Sequence, residues 1–542
     1  MTQFEYTVLC PFGGSGGGAL GFLAAEARLL GHVGRFRCLG SIDFDALAGE
    51  DFERFTASSS WTVDIETVTG AQLVERYGAK APDVVFLSPP CKGSSRLLSS
   101  AKAATAKYQR MNRLAVAWTR AMLEAWGGSP PALVLLENVP GLPHRAASML
   151  RDLRSMLRKA GYVFHASTHD CGELGGLAQR RQRYLLVARL PRKCPSLLYQ
   201  PPKKRVRGVG EVLGELPMPA TRAAQAWGAL HTMPRLSWRN WLRLALIPAG
   251  GDWRDLEGVL AEGQARREVF RRHPVQSWDA AAPAITGPGG HSLEGIADPR
   301  VTCTPRAGAY GVTGWDDPSA TVIGSGSIDN ARTSVADPRI GMAPSENRHW
   351  NKLDVLDWTD PAHTVIGKEG PSNGGPSVAD PRVSVGFDAA YAVLGWDQPA
   401  RTIAGTPAVG CGAYSVADPR DRDLVDARVM TLDAALALEL DAAKPPPFVP
   451  VIVASDGTWH RPLTLLELAA LQGYPATMRG EPVRFSGGRT VVAEHIGNSV
   501  PPPAAQAIAE RMLVALIEAS AGAMSLSSGA VWVRPEVREV RA

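Results

Sequence analysis

No stretch of the 542-residue sequence is long and apolar enough to span a bilayer, and no N-terminal signal peptide is recognisable. Neither a membrane-spanning nor an exported protein is therefore expected. Cysteine is scarce: seven residues, at 10, 38, 91, 171, 194, 303 and 411, odd in number and without a CxxC pair. That excludes a disulfide framework and a zinc site of ordinary spacing, leaves no metal expected, and fits a reducing cytoplasm. Charge of neither sign dominates, since 58 Lys and Arg against 53 Asp and Glu leave a net +5, which permits nucleic-acid binding without demanding it. With 45% hydrophobic and 20% charged residues the chain has the composition of a globular protein, too long for one ordinary domain. Glycine (55) and proline (42) are abundant, which implies many turns and short strands.

From 1 to about 190, strand-like runs alternate with helix-like ones. "YTVLCPF" (6–12), "FRCLGSID" (36–43), "DVVFL" (83–87) and "ALVLLENV" (132–139) are separated by "ALGFLAAEARLLG" (19–31), "RLAVAWTRAMLEAW" (113–126) and their like. Such alternation predicts βαβ units and a largely parallel sheet with helices on both faces. Near 191 a basic, proline-rich run marks a domain junction, and helical periodicity returns at 463–473 and 501–519, before a tail from 521 that reads as loosely held.

The middle of the chain repeats itself. "WDDPSATVIG" (315–324), "WTDPAHTVIG" (358–367) and "WDQPARTIAG" (396–405) share one pattern, and "WDAAAPAITG" (278–287) is a degenerate copy. "ADPR" follows each, its Ala 21 residues after the Trp in the good copies and 19 in the degenerate one. A duplicated β-rich unit of about forty residues accounts for this, with the Trp and the T-V-I-G part read as a strand.

Several residues carry candidate chemistry. The cluster "FGGSGGGA" (12–19) lies between a strand and a helix, where glycines admit close approach of a ligand and the helix N-terminus favours polar or anionic groups. Lacking GK[ST], it is no triphosphate loop, and alone it is equally a tight turn. Asp43 and Asp64 end the following strand-like pieces, where an acid accepts hydrogen bonds from ribose hydroxyls. Cys91, in "LSPPCKGSSR" (87–96), sits where a strand broken by Pro-Pro hands over to a basic loop; a buried, inert thiol is the competing reading. Glu137 emerges from an apolar strand, where burial favours its protonated form. In "QRRQRYLLVAR" (179–189), Arg181 and Arg183 point to one side and Arg180 to the other, unless the strand is merely a solvated surface element. The run "PPKKRVRG" (201–208) is a phosphate contact or a solvated linker.

Taken in order, these pieces resemble the DNA (cytosine-5)-methyltransferase family of bacterial and phage type. "FGGSGG" matches its F-x-G-x-G-G loop, "PPCKG" its Pro-Cys motif, "ENV" stands intact, and "QRRQR" matches Q-x-R-x-R. "RPLTLLELAALQGYP" (461–475) and "GNSVPPP" (497–503) match the two C-terminal motifs. The resemblance covers about 1–190 and 456–515, and more loosely the middle.

It implies a Rossmann-like, S-adenosylmethionine-dependent methyltransferase domain (1–190 and 456–520) around a β-rich target-recognition domain (191–455) that holds the four repeats (about 278–420). By resemblance Cys91 is the nucleophile that attacks a flipped-out cytosine, with Glu137, Arg183 and Arg181 as its catalytic companions. Phe12, Gly14, Gly16, Gly17, Asp43, Asp64, Pro90, Asn498, Ser499 and Val500 would hold the cofactor. Lys92, Ser95 and Arg96 of the loop, and the matched Arg300, Arg339, Arg382 and Arg420, would contact double-stranded DNA; the ADPR pieces are otherwise Asp–Arg turns that hold the repeat together. The implied setting is the cytoplasm of a bacterium or a phage-infected host, near the nucleoid, as a monomer, with a partner restriction endonuclease open. The sequence departs from the pattern at Cys10, where an acid is usual, and at Lys92 and Ser94 beside the nucleophile. An RNA cytosine methyltransferase of the same fold and an inactive DNA-binding homologue remain the alternatives.

Overall fold

The computed structural model describes residues 2–90, 105–247, 397–400, 415–418, 425, 427–454 and 458–533, with the backbone of seven short strands between 275 and 394. Cys91, Lys92, Ser95, Arg96, Arg300, Arg339, Arg382 and Arg420 lie outside the described residues.

Two compact units emerge, residues 1–262 with 388–542, and residues 263–387. In the first, eight strands form one sheet: β1 (Thr2–Pro11), β2 (Glu26–Leu29), β3 (His32–Asp43), β4 (Ser60–Thr62), β5 (Val84–Leu87), β6 (Leu133–Asn138), β7 (Val163–Asp170) and β8 (Gln182–Arg189). Their order is β2-β3-β1-β5-β6-β8-β7, with β4 beside β3. The centre is parallel, β1 with β3 and β5, β5 with β6. The margins depart from that expectation: β2 runs antiparallel to β3, and β8 to both β6 and β7. Only residues 171–181, with the five-residue helix Cys171–Gly175 among them, separate β7 from β8, too little chain for a parallel crossover.

Strand alternation supplies two cores. Val8, Val84, Phe86, Leu133, Leu135, Leu185 and Val187 pack with α1 (Gly17–Ala24) and the helix Pro502–Ala521. Leu9, Val85, Leu87, Val134, Leu136, Leu186 and Ala188 face the other way, towards the helices Ala106–Trp126 and Ala147–Lys159. Each fully buried large side chain here contributes about 1.5–3 kcal/mol. The fit of α1 against the last helix is tight, since a Cβ on Gly21 would stand 2.3 Å from the Pro502 carbonyl oxygen. Residues from beyond 500 thus complete the N-terminal sheet.

The tail corrects the sequence reading. Val531–Val533 pairs antiparallel with β9 (Leu198–Tyr199), and Trp532 is buried. An aromatic anchor outweighs the polar, serine-rich run before it.

Each repeat contributes one pair of parallel strands: β10 (Val275–Ser277) with β11 (Gly295–Ala297), β12 (Val312–Thr313) with β13 (Ser334–Val335), β14 (Val355–Asp357) with β15 (Ser377–Ala379), and β16 (Val393–Leu394) with β17 (Ser415–Asp418). The pairings Val312–Ser334, Val355–Ser377 and Val393–Ser415 span one common separation, and Val275–Gly295 is two residues shorter. The sequence repeat has the same two-residue deficit in its degenerate copy. These strands precede the Trp and lead into ADPR; the Trp and T-V-I-G residues lie outside the described residues. The fourth pair joins a five-stranded sheet, β16-β17-β20-β19-β18, with β18 (Ala427–Thr431), β19 (Val449–Val453) and β20 (Trp459–Pro462).

Candidate active site

The carboxyl ends of β1, β3, β5 and β6 surround a cavity of about 170 Å3. Phe12, Gly14, Asp43, Pro90, Glu137, Arg183, Asn498, Ser499 and Val500 line it. Residues far apart in sequence are therefore brought together, as the crevice at strand ends requires.

The glycine loop is held at several points. Phe12 adopts φ 57°, uncommon for a residue with a side chain, and its amide donates to the Ile42 carbonyl at 2.7 Å. The Gly14 amide donates to Asp43 Oδ2 at 2.9 Å, and the Asp45 amide to Asp43 Oδ1 at 3.2 Å. Asp43 is buried, and that desolvation raises its pKa although both amides oppose the rise. Cys10 supplies no charge in place of the usual acid. Its hydrogen bond with Cys38, together with burial, pushes its thiol pKa well up, so Asp43 alone is the carboxylate that fixes the loop.

At the other end of the cavity Glu137 is buried, and both of its oxygens have partners. Arg183 Nε lies 2.8 Å from Glu137 Oε1, and Ser88 Oγ donates to Oε2 at 2.9 Å. Asn138 Nδ2 donates to the Pro89 carbonyl at 2.9 Å. The Glu-Asn pair thus grips the Ser88–Pro90 strap directly before residue 91. Arg181 and Arg183 do share the inner side, while Arg180 is exposed.

Arg181, however, does not reach the cavity. Its Nη2 donates to the Gly497 and Ser499 carbonyls at 2.7 and 3.0 Å. Gln472 Nε2 takes Ser499 O as well, at 2.7 Å, and Tyr474 OH joins Ser499 Oγ (2.7 Å) to Ser15 Oγ (2.9 Å). Four motifs therefore meet at the turn Asn498–Val500. Gly16 caps α1 in the left-handed conformation and Gly17 packs beneath Ser499, so both shape the loop from behind. Asp64 is exposed, caps a short 3-10 helix, and pairs with Arg110 at 2.7 Å, away from the cavity lining. In the basic run at 201–208, Lys203 pairs with Glu173 and Arg205 with Glu211, both at 2.6 Å.

Residues with no place in the sequence reading also line the cavity, among them Phe44, Asp45, Glu494 and His495. Phe44 is 68% exposed, immediately after Asp43, so an aromatic following a strand-end acid was the available signal. A Cβ on Gly14 would meet nothing within 4 Å, which leaves a bare backbone cradle beside a buried carboxylate and a free aromatic face. That donor set suits a nucleoside.

The family model for C-5 cytosine-specific DNA methylase matches residues 7–211 and 442–514, just over half of the chain. This chain belongs to that family. Type II methyltransferase M1.BsuMI of Bacillus subtilis (strain 168) is 30% identical over 198 residues, a match spanning 35% of this chain and 44% of that relative. The chain thus matches less than half the length of that curated relative. Among solved structures, Entamoeba histolytica methyltransferase EhMeth shows 10% identity at a TM-score of 0.46, covering 95% of this chain and 98% of that one. A putative DNA modification methyltransferase encoded within an E. coli prophage shows 14% identity at a TM-score of 0.43, covering 95% and 100%.

Proposed function

We propose that the chain methylates carbon 5 of cytosine in double-stranded DNA, with Cys91 as covalent nucleophile. The observation that carries this is the grip of Glu137 and Asn138 on Ser88–Pro90. It ties the approach to Cys91 to the same carboxylate that Arg183 holds.

S-adenosylmethionine, when bound, supplies an electrophilic methyl group; Gly14, Asp43, Phe44, Asn498 and Val500 are the residues that would hold it. The chain's own groups act on the base. Carbon 5 of cytosine is a poor nucleophile until the Cys91 thiolate adds to carbon 6, which pushes electrons towards carbon 5. Glu137 holds protonated ring nitrogen 3 and the amino group, and Arg183 meets charge developing on the base oxygen. Carbon 5 then bonds to the methyl group as the donor's sulfur–methyl bond breaks and the thioether product leaves; loss of the carbon-5 proton to water lets the Cys91–carbon 6 bond break and restores the thiolate. Inside a duplex none of these atoms is reachable, so the base must be extruded. Residues 191–455, with the four repeats, are proposed as the target-recognition part.

The deciding experiment is incubation with duplex DNA containing 5-fluorocytosine and S-adenosylmethionine. The expected result is a denaturation-resistant protein–DNA adduct that Cys91→Ala abolishes. No adduct on duplex DNA, but one on transfer RNA, would move the substrate to RNA.

A further inference from the structure

One cluster at the cavity edge has no part in that chemistry. His495, on the helix Arg489–Asn498, stands between two carboxylates of α2 (Ala46–Thr56) and its cap. His495 Nε2 lies 3.2 Å from Asp45 Oδ2, and Nδ1 lies 3.3 Å from Asp51 Oδ2. Both ring nitrogens therefore face acceptors. A neutral imidazole has one proton and would turn its remaining lone pair onto an anion, whereas the imidazolium donates to both.

The two carboxylates are committed on their other sides. Asp51 is wholly buried, and its Oδ1 accepts from the Ser486 amide at 2.7 Å and from Arg54. Asp45 Oδ1 caps α2 by accepting from the Leu47 and Ala48 amides at 3.0 and 3.2 Å. The Asp45 amide in turn donates to Asp43. Hydrogen bonds thus run without a break from Gly14 through Asp43, Asp45, His495 and Asp51 to Ser486. Only His495 in that line sits on the helix that leads into Asn498–Val500.

We propose that His495 is a positioning residue for the cofactor, a cationic clip that holds the Asp43–Asp45 turn against the helix leading to Asn498. The proposal rests on the S-adenosylmethionine reading above. The charged groups facing the ring are Asp45 and Asp51, with Arg54 behind Asp51; Asp43 lies at the end of β3, and Glu494 neighbours it on its own helix. Burial by itself lowers the His495 pKa, but the ring's hydrogen bonds to Asp51 and Asp45, with the charge of those carboxylates, more than offset it, and the net shift is upward from 6.5. A raised value means that the clip is complete below pH 6.5 and is lost as pH climbs through the folded-state value.

The test is calorimetric titration of the full chain with S-adenosylmethionine from pH 6 to 9, in wild type, His495→Gln and Asp45→Asn. Comparison between variants cancels titration of the ligand itself. NMR titration of the His495 ring in the cofactor-free protein is run alongside. The expected result is affinity about tenfold tighter in wild type than in His495→Gln at pH 6, converging by pH 9. The ring should titrate above 6.5, and lower in Asp45→Asn, which keeps the helix cap. Parallel pH profiles, or a ring titrating at or below 6.5, would overturn the proposal. Wild type that binds no S-adenosylmethionine at any pH would instead overturn the cofactor reading, while the ring titration still decides whether the clip is cationic. Should His495→Gln not fold, Asp45→Asn must by itself flatten the pH profile, or the proposal fails.

Discussion

Arg183 and Glu137 meet at 2.8 Å across adjacent antiparallel strands, at the point where both strands open into the cavity. The pair sets two opposite charges side by side at the cavity wall, where the proposed reaction calls for both. Glu137→Gln and Arg183→Ala are each expected to lower kcat by about 10²–10³-fold, the scale of removing one preorganised charge partner. Single-turnover kinetics with tritiated methyl donor checks this, and a loss confined to KM would show that the pair only binds.

Asp43→Ala is expected to weaken S-adenosylmethionine binding at least tenfold, because Gly14 and Asp45 lose their shared acceptor. Phe44→Ala should weaken it with no change in melting temperature, since the ring is mostly exposed and packs little of the core. Calorimetry and thermal unfolding on the same samples separate the two effects.

Arg181→Met should leave a folded protein whose cofactor affinity falls, although Arg181 does not itself line the cavity. It removes the donor that pins the Gly497 and Ser499 carbonyls. Unchanged affinity, with only a lowered melting temperature, would make Arg181 purely structural.

Arg461 and Glu467 form a bidentate pair at 2.9 and 2.6 Å, both wholly buried. Burial alone would raise the Glu467 carboxyl, but Arg461 holds it below its ordinary value. Such a lowered value stabilises the fold at neutral pH and ceases to do so as pH falls through it. Glu467→Gln should cost about 3–5 kcal/mol at neutral pH, with the difference from wild type shrinking in acid. Denaturant titrations at pH 7 and pH 4 measure both.

Arg339→Ala tests the repeats. If the units read DNA, the salt slope of binding falls by about one with the melting temperature unchanged. A lowered melting temperature with an unchanged bisulfite pattern of methylation assigns ADPR to structure instead.

How far the sequence could be read follows from where each residue sits. Glu137 and Arg183 were legible because strand period fixes which side a residue faces and strand ends face the cavity. Asp64 obeys the same rule yet turns outward, because the chain needed a cap and Arg110 offered a partner. Arg181 was legible in direction but not in role, since its acceptors lie on a turn more than three hundred residues away in sequence. His495 belongs to no pattern at all; only the packing of two helices brings Asp45 and Asp51 to it. The antiparallel margins of the sheet were hidden for a related reason: a reversal depends on how little chain separates β7 from β8, not on the composition of either strand.

The seating of Pro502–Ala521 on α1 has a consequence during synthesis. A ribosome that has made residue 190 has made the whole eight-stranded sheet but not the helix that covers one of its faces. At about 5–20 residues per second the missing helix is complete only about 15–60 s later. Through that interval Val8, Phe86 and Val187 have α1 over them but not the last helix, so the nascent chain exposes apolar surface before the Asn498–Val500 side of the cavity exists.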